Sequence, residues 1–262
     1  LNLNKEIISI AKEINPDIFV VMGGPGISKS PEGIHAFLNN WPIDVYVINE
    51  GEDGFCSIVE YLLEKWPCNL RDSIFNSGAN LLNTAYLEKE TKRLILGGMP
   101  DTALDKNIQF PSPWLSGSLD VFLNQNIFPL TALVETNRGC PFKCTFCVDG
   151  SHLVSKVNRF SLERVTKELD YIAQHVPDKI TTLGIADLNF GMHKGDLEIC
   201  DAIVNIKKKY NYPQNVGTST GKNSKERIIE AIKKLKDSLV LTISVQSMDK
   251  QVLKNIKRDN MS

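Results

Sequence analysis

The order of apolar and polar residues predicts a chain in which helices and strands alternate. Residues 4–15 carry apolar side chains at helical spacing, and Pro16 is expected to end that helix. Residues 17–24 form a nearly continuous apolar run closed by glycine, a pattern that favours a buried strand. Ser30 and Pro31 then have the positions of an N-cap and a first-turn proline. The same reasoning predicts a helix over residues 30–40, a strand over 43–52 and a helix over 53–66.

The alternation over residues 1–66 predicts part of a parallel, doubly wound sheet with a Rossmann-like (flavodoxin-like) arrangement. Residues 67–129 have a different pattern and are interpreted as a connector between two domains. Within this connector, the apolar runs 79–87 and 93–98 flank a polar stretch and predict a hairpin. The proline-rich stretch 109–114 cannot be regular helix.

Residues 130–262 resume the alternation and predict four consecutive βα units, the order of elements in a (β/α) barrel or half-barrel. We therefore expect an α/β protein whose second domain is the N-terminal part of such a barrel. In barrels of this kind, the chemistry lies at the carboxyl ends of the strands. The predicted strands are 130–136, 179–187, 215–220 and 238–247, and the predicted helices are 161–175, 196–210, 224–236 and 249–258.

The composition is that of a globular protein, with 262 residues, 42% hydrophobic and 23% charged, and a formal net charge of −1. A balance so close to neutral predicts no general attraction to nucleic acid or to a membrane surface. The lysine-rich stretches 206–210 and 232–236 are interpreted as solvated helix faces. The apolar runs are too short to cross a bilayer, and no signal peptide precedes them, so a cytoplasmic protein is expected. Because the sequence starts at Leu1 and stops directly after a helical pattern, we expect part of a longer protein.

Three of the six cysteines lie within eight residues of one another, in the sequence RGCPFKCTFC. Cys140, Cys144 and Cys147 follow the first strand of the second domain, at the end where barrel chemistry is expected. Three thiolates can bind three irons of a [4Fe–4S] cluster and leave the fourth iron open to another molecule. Cys56 and Cys200 lie on apolar helix faces and are predicted to be core residues.

Two alternatives to a cluster follow from the same residues. His152 lies five positions after Cys147 and could complete a closed Cys₃His zinc site. The cysteines could also be small hydrophobic residues, but three in eight positions make that a weak interpretation. Small zinc modules use the metal to replace a missing core, whereas this loop belongs to a βα framework large enough to fold without one. The context therefore favours the iron–sulfur cluster.

The cysteine spacing, with Phe146 directly before the last cysteine, resembles the signature of the radical S-adenosylmethionine (radical SAM) family. The resemblance extends over residues 130–262 and includes the stretches 159–172 and 244–260. It implies that the open iron is chelated by S-adenosylmethionine, and that one electron from the cluster cleaves a carbon–sulfur bond to yield a 5′-deoxyadenosyl radical. It also implies a reductant such as flavodoxin or ferredoxin as a partner.

The resemblance also implies which residues contact the cosubstrate, and each role is assigned to the position of this sequence that matches the family. Polar residues after the second strand contact its amino group in the family, and here that position reads ADLNFG, although the family often has Gly-Gly-Glu there. Polar residues on the fourth strand commonly hold the ribose in the family, and Ser244 and Gln246 match that position. Alternation along the strand predicts that these two residues share a face. Asp149, just past the cysteines, is expected to shape the turn. The predicted cosubstrate-binding residues are Phe146, Asp187, Asn189, Ser219, Ser244 and Gln246.

Residues 1–66 resemble the C-terminal part of a cobalamin-binding domain. Gly23, Gly24 and Gly26 lie where a strand ends, and glycine there allows the backbone to approach a bulky ligand closely. The phrase NEGED, which includes Glu50 and Asp53, strengthens the resemblance. The family's cobalt-ligating motif, Asp-x-His-x-x-Gly, is not in this sequence. Cobalamin binding is therefore implied by the resemblance alone.

Taken together, these features predict a radical SAM enzyme with an attached cobalamin-binding-type domain, for which cobalamin-dependent methyl transfer to an unactivated carbon is a candidate reaction. A zinc-stabilised binding module without catalysis and a cobalamin-binding sensor are the alternatives. The small-molecule substrate is not predicted, because its specificity is expected to lie in segments beyond residue 262.

Overall fold

The structure is a computed structural model, and its residues group into two compact units, Leu1–Thr102 and Ala103–Ser262. Each unit is described by itself. The residues that the structure describes are 2–24, 26–27, 30–48, 51–65, 74–75, 80–98, 110–123, 125, 129–148, 156–242, 244–258 and 260.

The first unit contains one mixed sheet, in which the strands have the order β1-β2-β3-β4. β1 and β2 are parallel, whereas β3 is antiparallel to both of its neighbours. The predicted N-cap is confirmed, since the Ser30 hydroxyl accepts a hydrogen bond from the Gly33 N–H at 3.1 Å. The elements are α1 (Asn2–Ile14), β1 (Val21–Met22), α2 (Pro31–Asn40), β2 (Val45–Val47), α3 (Gly51–Lys65), β3 (Thr84–Leu87) and β4 (Leu94–Leu96).

Both faces of this sheet are covered, as predicted for a doubly wound arrangement. Along β2, Tyr46 packs with Phe37 and Leu38 of α2, whereas Val45 and Val47 pack with residues of the other face. All three β2 residues are buried. Alternate residues of one strand therefore contribute to two separate apolar layers.

The predicted hairpin is confirmed, because β3 and β4 pair antiparallel. Its place differs from the prediction, which assigned it to a connector. β3 also pairs with β2, through Tyr46 opposite Ala85 and Val47 opposite Thr84, so the hairpin extends the sheet of the first unit. The prediction of a connector over residues 67–129 is wrong for this segment, since local patterns do not report which strand a hairpin joins.

The second unit contains a parallel four-stranded sheet with the order β10-β9-β8-β5, and a small antiparallel pair, β6 and β7. Four βα units were predicted, and all four are present. Among the described strands the sheet is open, with β5 and β10 at its edges. The elements are α4 (Asp120–Leu123), β5 (Ala132–Val134), β6 (Asn137–Arg138), β7 (Asn158–Arg159), α5 (Leu162–His175), β8 (Thr182–Phe190), α6 (Asp196–Tyr210), β9 (Asn215–Thr220), α7 (Lys225–Leu235), β10 (Leu239–Thr242) and α8 (Lys250–Asn255).

The core of the second unit joins the sheet to its helices. Leu183 and Ile185 of β8 and Val216 of β9 are buried against residues of α5, α6 and α7, such as Leu169 and Ile203. This burial explains the apolar alternation that predicted the strands. Among the described helices, none is both long enough and apolar enough to cross a membrane.

The segment around Trp114 also belongs to the second unit, which corrects the other half of the connector prediction. Trp114 is buried in the core of this unit, and its indole N–H donates to the carbonyl oxygen of Leu133 at 2.9 Å. Leu133 lies on β5, so the indole contacts an edge strand of the parallel sheet. The irregular backbone predicted for 109–114 is confirmed for the described residues 110–114, which lie outside helices and strands.

The fourth strand is shorter than predicted, because β10 ends at Thr242. Ser244 and Gln246 lie beyond it, and Gln246 has a φ of 65°. The argument that alternation places these two side chains on one face of a strand is therefore wrong. Side chains near the C-terminus bind the backbone carbonyl groups that follow β10. The Arg258 guanidinium donates to the Ser244 carbonyl, and the Asn260 side-chain amide donates to the Val245 carbonyl at 2.8 Å.

Candidate functional site

The cysteine loop begins at the carboxyl end of β5, as predicted. β6 leads directly into it and pairs with β7, so the two short strands close the base of the loop. Gly139 has a φ of 102°, a conformation that favours glycine and that turns the chain into Cys140. Cys140 and Cys144 are buried, and the Cys147 N–H donates to the Cys144 carbonyl at 3.1 Å in a tight turn.

Asp187 of β8 holds the base of this loop. Its carboxylate accepts hydrogen bonds from the backbone N–H groups of Thr136 at 2.8 Å and Asn137 at 3.3 Å. The Thr136 hydroxyl and the Asn137 side-chain amide also donate to it. Four donors around one buried carboxylate fix the turn between β5 and β6. The carboxylate predicted to contact the cosubstrate is thus bound within the protein.

Burial dominates the ionisation of this group and raises the pKa of Asp187 from 3.8 to about 6. The hydrogen bonds from Thr136 and Asn137 act in the opposite direction, because they stabilise the charged form, and the negative charge of Asp196 raises the pKa further. At neutral pH the carboxylate is largely ionised, in the form that accepts all four hydrogen bonds.

Asn189 lies two residues further along β8 and contacts the first cysteine. Its amide Nδ2 donates to the Cys140 sulfur at 3.2 Å, and the side chain is only 3% exposed. Within the described part of the chain, its Oδ1 is buried without a hydrogen-bond partner. An unpaired buried acceptor costs about 1–3 kcal/mol, so a donor is expected there when the site is filled.

Lys222 approaches the second cysteine from the end of β9. Its Nζ lies 3.9 Å from the Cys144 sulfur and 4.8 Å from the centre of the Phe142 ring. The loop is also joined to the C-terminal segment, since the Thr145 N–H donates to the Ile256 carbonyl at 3.1 Å. Residues from two neighbouring strands and from the segment after α8 therefore meet at the cysteine loop.

The donor set fits a cluster better than a single ion. In the described residues, no group of three or more His, Cys, Asp or Glu side chains is close enough together to hold one metal ion. The ligands of a single zinc must converge on one point, whereas the thiolates of a [4Fe–4S] cluster each bind a different iron. His152 and Asp149, the predicted zinc ligand and turn residue, lie outside the described residues.

The other predicted cosubstrate residues lie at the same end of the sheet or in the loop itself. Phe146 is half-exposed beside Cys147, and Ser219 is exposed near the end of β9. Ser244 and Gln246 are exposed after β10. The structure does not test whether these four side chains contact a cosubstrate, and their roles stay predictions. Among the other cysteines, Cys200 is buried as predicted, but Cys56 is exposed, so its assignment to the core is wrong.

Gly23, Gly24 and Gly26, the glycine turn of the first unit, follow β1. The Tyr46 hydroxyl donates to the Gly24 carbonyl at 2.8 Å, and Gly24 has a φ of 107°. A Cβ atom added at Gly24 or Gly26 would have no neighbour within 4 Å, whereas one at Gly23 would be in ordinary contact with Val47. Gly24 and Gly26 therefore have open space where a side chain would lie. Glu50 of the NEGED phrase lies outside the described residues.

Fold and site together define an α/β protein that carries a three-cysteine loop at the carboxyl edge of a parallel sheet. Residues 134–261 match the family model of the Radical SAM superfamily. This match covers the part of the chain that carries the cysteine loop, and it confirms the resemblance to this superfamily found in the sequence.

Two curated relatives resemble the chain over both of its units. One is the 2-(S-pantetheinyl)-carbapenam-3-carboxylate methyltransferase of Streptantibioticus cattleyicolor, which is 31% identical over 262 residues, covering 98% of this chain and 36% of the relative. The other is the cobalamin-dependent radical SAM methyltransferase TokK of Streptomyces tokunonensis, 31% identical over 263 residues, with the same coverage of 98% and 36%. The chain thus spans about a third of the length of these relatives.

Solved structures show the same fold. The radical S-adenosylmethionine methyltransferase TsrM from Kitasatospora setae, solved with cobalamin and a [4Fe–4S] cluster bound, superposes with a TM-score of 0.68 at 15% identity. The superposition covers 98% of this chain and 46% of that one. The α/β fold class predicted for both parts of the chain is confirmed.

Sequence reasoning missed Lys222 and the pair Thr136 and Asn137. Lys222 directly follows a glycine after a predicted strand, which was the available signal, but its distance of 78 residues from Cys144 hid the contact. Thr136 and Asn137 precede the cysteine loop and carry no motif of their own, so only the structure shows that they bind Asp187.

Proposed function

We propose that this chain is the cofactor-binding part of a cobalamin-dependent radical SAM methyltransferase. The observation that carries the proposal is the alignment with two named methyltransferases over 98% of the chain, because it includes both the glycine turn and the cysteine loop. One of these relatives is named as cobalamin-dependent. The substrate and the complete reaction belong to the whole protein, of which this chain is about a third by comparison with its relatives.

Cys140, Cys144 and Cys147 are the proposed cluster ligands. When bound, such a cluster would offer its open iron to S-adenosylmethionine as the chelating ligand and would supply the electron that cleaves the carbon–sulfur bond of that cosubstrate. The protein contributes the position of the thiolates: Gly139 turns the chain, and Asp187 fixes the base of the loop from β8. A one-electron reductant such as flavodoxin or ferredoxin is the expected partner.

Asn189 is the residue that we propose for binding the cosubstrate's amino group. Its Nδ2 is occupied by the Cys140 sulfur, and its buried Oδ1 accepts no hydrogen bond from the described residues. The N–H of an amino group is a suitable donor for such an oxygen. Asp187 is a weaker candidate than Asn189, since both of its oxygens already accept hydrogen bonds from Thr136 and Asn137.

The glycine turn is the proposed contact of the first unit with cobalamin. Open space beside Gly24 and Gly26 supports this assignment, because a corrinoid is bulky and needs bare backbone to approach closely. The sequence supplies no Asp-x-His-x-x-Gly motif, so the proposal includes no histidine ligand to cobalt from this chain.

Iron content tests the cluster. Anaerobic reconstitution of the complete protein should load about four irons per chain, as a [4Fe–4S] cluster requires. Cys140→Ala, Cys144→Ala and Cys147→Ala should each abolish this uptake, whereas Cys200→Ala, a matched change of a buried cysteine on α6, should retain it. Stoichiometric zinc without iron would instead support the binding-module alternative.

Two further measurements separate the remaining alternatives. The complete protein, supplied with hydroxocobalamin, should retain corrinoid through gel filtration, as detected by its visible spectrum. With S-adenosylmethionine and a strong reductant it should form 5′-deoxyadenosine. Corrinoid uptake without 5′-deoxyadenosine would support a cobalamin-binding sensor, and 5′-deoxyadenosine without corrinoid would leave a radical enzyme that does not transfer methyl groups through cobalamin.

A further inference from the structure

We propose that Asn189 and Lys222 set the reduction potential of the cluster, by donating to the thiolates of Cys140 and Cys144 from two neighbouring strands. This inference rests on the proposed function, since it requires a cluster in the cysteine loop. It assigns these two side chains a role distinct from binding the cosubstrate. Both are positioning residues that act through the cluster's ligands.

Asn189 makes a direct N–H to sulfur contact in a buried place. The Nδ2 to Sγ distance of 3.2 Å is short for a hydrogen bond to sulfur, and both side chains are almost fully buried. In a medium of low dielectric constant a hydrogen bond is electrostatically stronger than in water. A thiolate in this place accepts, so the amide presents its N–H to the sulfur whenever Cys140 is ionised.

Lys222 places a positive charge beside the second cysteine of the loop, Cys144. Its Nζ is 3.9 Å from the Cys144 sulfur and packs over the Phe142 ring, two residues before that cysteine. The cation–π contact with Phe142 holds the ammonium group beside the loop. A full charge this close acts on the cluster without requiring the short contact that Asn189 makes.

The sign of the effect follows from charge. Reduction adds one negative charge to the cluster, and hydrogen bonds to the sulfurs and nearby positive charge stabilise the more negative state. Both contacts therefore raise the reduction potential and make the cluster easier to reduce. They approach different thiolates, from β8 and from just after β9, and electrostatic contributions at one cluster sum, so their effects should be close to additive.

Potentiometric titration of the reconstituted complete protein tests this. The fraction of reduced cluster is followed by electron paramagnetic resonance in the wild type, Asn189→Leu, Lys222→Met and the double variant. Each single variant should disfavour reduction about tenfold, which for a one-electron couple corresponds to a potential about 59 mV more negative. The double variant should show roughly the sum. Lys222→Arg, which keeps the charge, should stay near the wild type.

Two control variants make the same types of substitution at positions away from the cysteine loop. Lys194→Met removes an exposed charge from the loop after β8, and Asn215→Leu removes an exposed amide at the opposite end of β9. Neither should move the potential. Iron content is measured in every variant, because a change that merely damaged the loop would lower it.

The outcomes are distinct. Full iron content with an unchanged potential in both Asn189→Leu and Lys222→Met would overturn the inference while leaving the cluster in place. Loss of iron in both variants would also overturn it, since the contacts would then build the loop and not tune the cluster. If only one variant loses iron, the potential of the other decides. A wild-type protein that takes up no iron would instead refute the proposed function.

Discussion

At the scale of single residues, the burial of Asp187 makes the folding stability of the protein depend on pH. Its pKa is raised from 3.8 to about 6, mainly by burial. The folded protein therefore holds this proton more tightly than the unfolded chain does. The stabilising contribution of the protonated group is complete below about pH 4 and is lost as the pH rises through about 6.

The variant Asp187→Asn tests this pH dependence. A shift of about two pKa units corresponds to roughly 3 kcal/mol. Relative to the wild type, the free energy of unfolding of Asp187→Asn should therefore increase by up to about 3 kcal/mol between pH 4 and pH 7, because only the wild type loses the contribution of the protonated group. Urea denaturation at several pH values measures it, with Asp201→Asn on the exposed face of α6 as a control. A difference from the wild type that stays constant with pH would contradict the assignment.

Gly54 illustrates a close approach between a helix and a strand. A Cβ atom added there would lie 2.6 Å from Val47 Cγ1, because α3 packs directly on β2. Gly54→Ala should lower the free energy of unfolding of the first unit by about 1–3 kcal/mol through overpacking. Gly51→Ala, at the start of the same helix, adds a Cβ with no neighbour within 4 Å and should be close to neutral or stabilising. Equal denaturation midpoints for the two variants would refute this packing argument.

At the scale of elements, the parallel sheet depends on a residue outside its βα units. Trp114 contacts the edge strand β5 through its hydrogen bond to Leu133 and lies in the core of the second unit. A segment that reads as a connector in the sequence thereby covers one edge of the sheet. Covering an edge strand protects its backbone groups from pairing with other chains.

Trp114→Phe should destabilise the second unit while keeping an aromatic ring in the core. Trp114→Phe removes the hydrogen bond from the indole N–H to the Leu133 carbonyl, and a hydrogen bond of this kind contributes about 0.5–1.5 kcal/mol. Chemical denaturation followed by circular dichroism measures the change. The matched variant Trp41→Phe alters a partly buried tryptophan in the first unit, and it should leave the transition of the second unit in place. If Trp114→Phe also left that transition unmoved, the hydrogen bond would have no energetic importance.

At the scale of the whole molecule, the two units are expected to bind their cofactors through separate residues. The glycine turn lies in Leu1–Thr102, and the cysteine loop lies in Ala103–Ser262. A change in one should therefore leave binding at the other intact. The measurements require the complete protein, because this chain corresponds to only 36% of its curated relatives.

Gly26→Val tests whether the glycine turn of the first unit binds the corrinoid. A side chain at Gly26 would extend into open space and should not disturb folding, but it would occupy the room that a corrinoid needs. Corrinoid retention should fall at least tenfold, which corresponds to about 1.4 kcal/mol, while iron content stays unchanged. Gly51→Val, which also extends into open space, should retain corrinoid. Conversely, Cys144→Ala should lose iron and keep corrinoid. Normal corrinoid retention by Gly26→Val would remove the glycine turn from the cobalamin site.

The features that the sequence alone determined are local ones. The N-cap at Ser30, the helix boundaries of α6, the strand β9 and the position of the cysteine loop after β5 all follow from periodicity and from neighbouring residues. Helices and strands have distinct spacings of apolar residues, so their existence and order can be predicted without knowing what they pack against. The three-cysteine spacing is equally local, because all of its members lie in one loop.

Only the tertiary structure decided which distant groups meet. Asp187 is 51 residues from Thr136, and Lys222 is 78 residues from Cys144, so no spacing in the sequence relates them. The hairpin's membership in the first sheet and the early end of β10 were likewise predicted incorrectly. In each case the outcome depends on strand order and on side chains from other elements, since a buried carboxylate or a strand edge is bound by whichever donors the folded chain brings beside it.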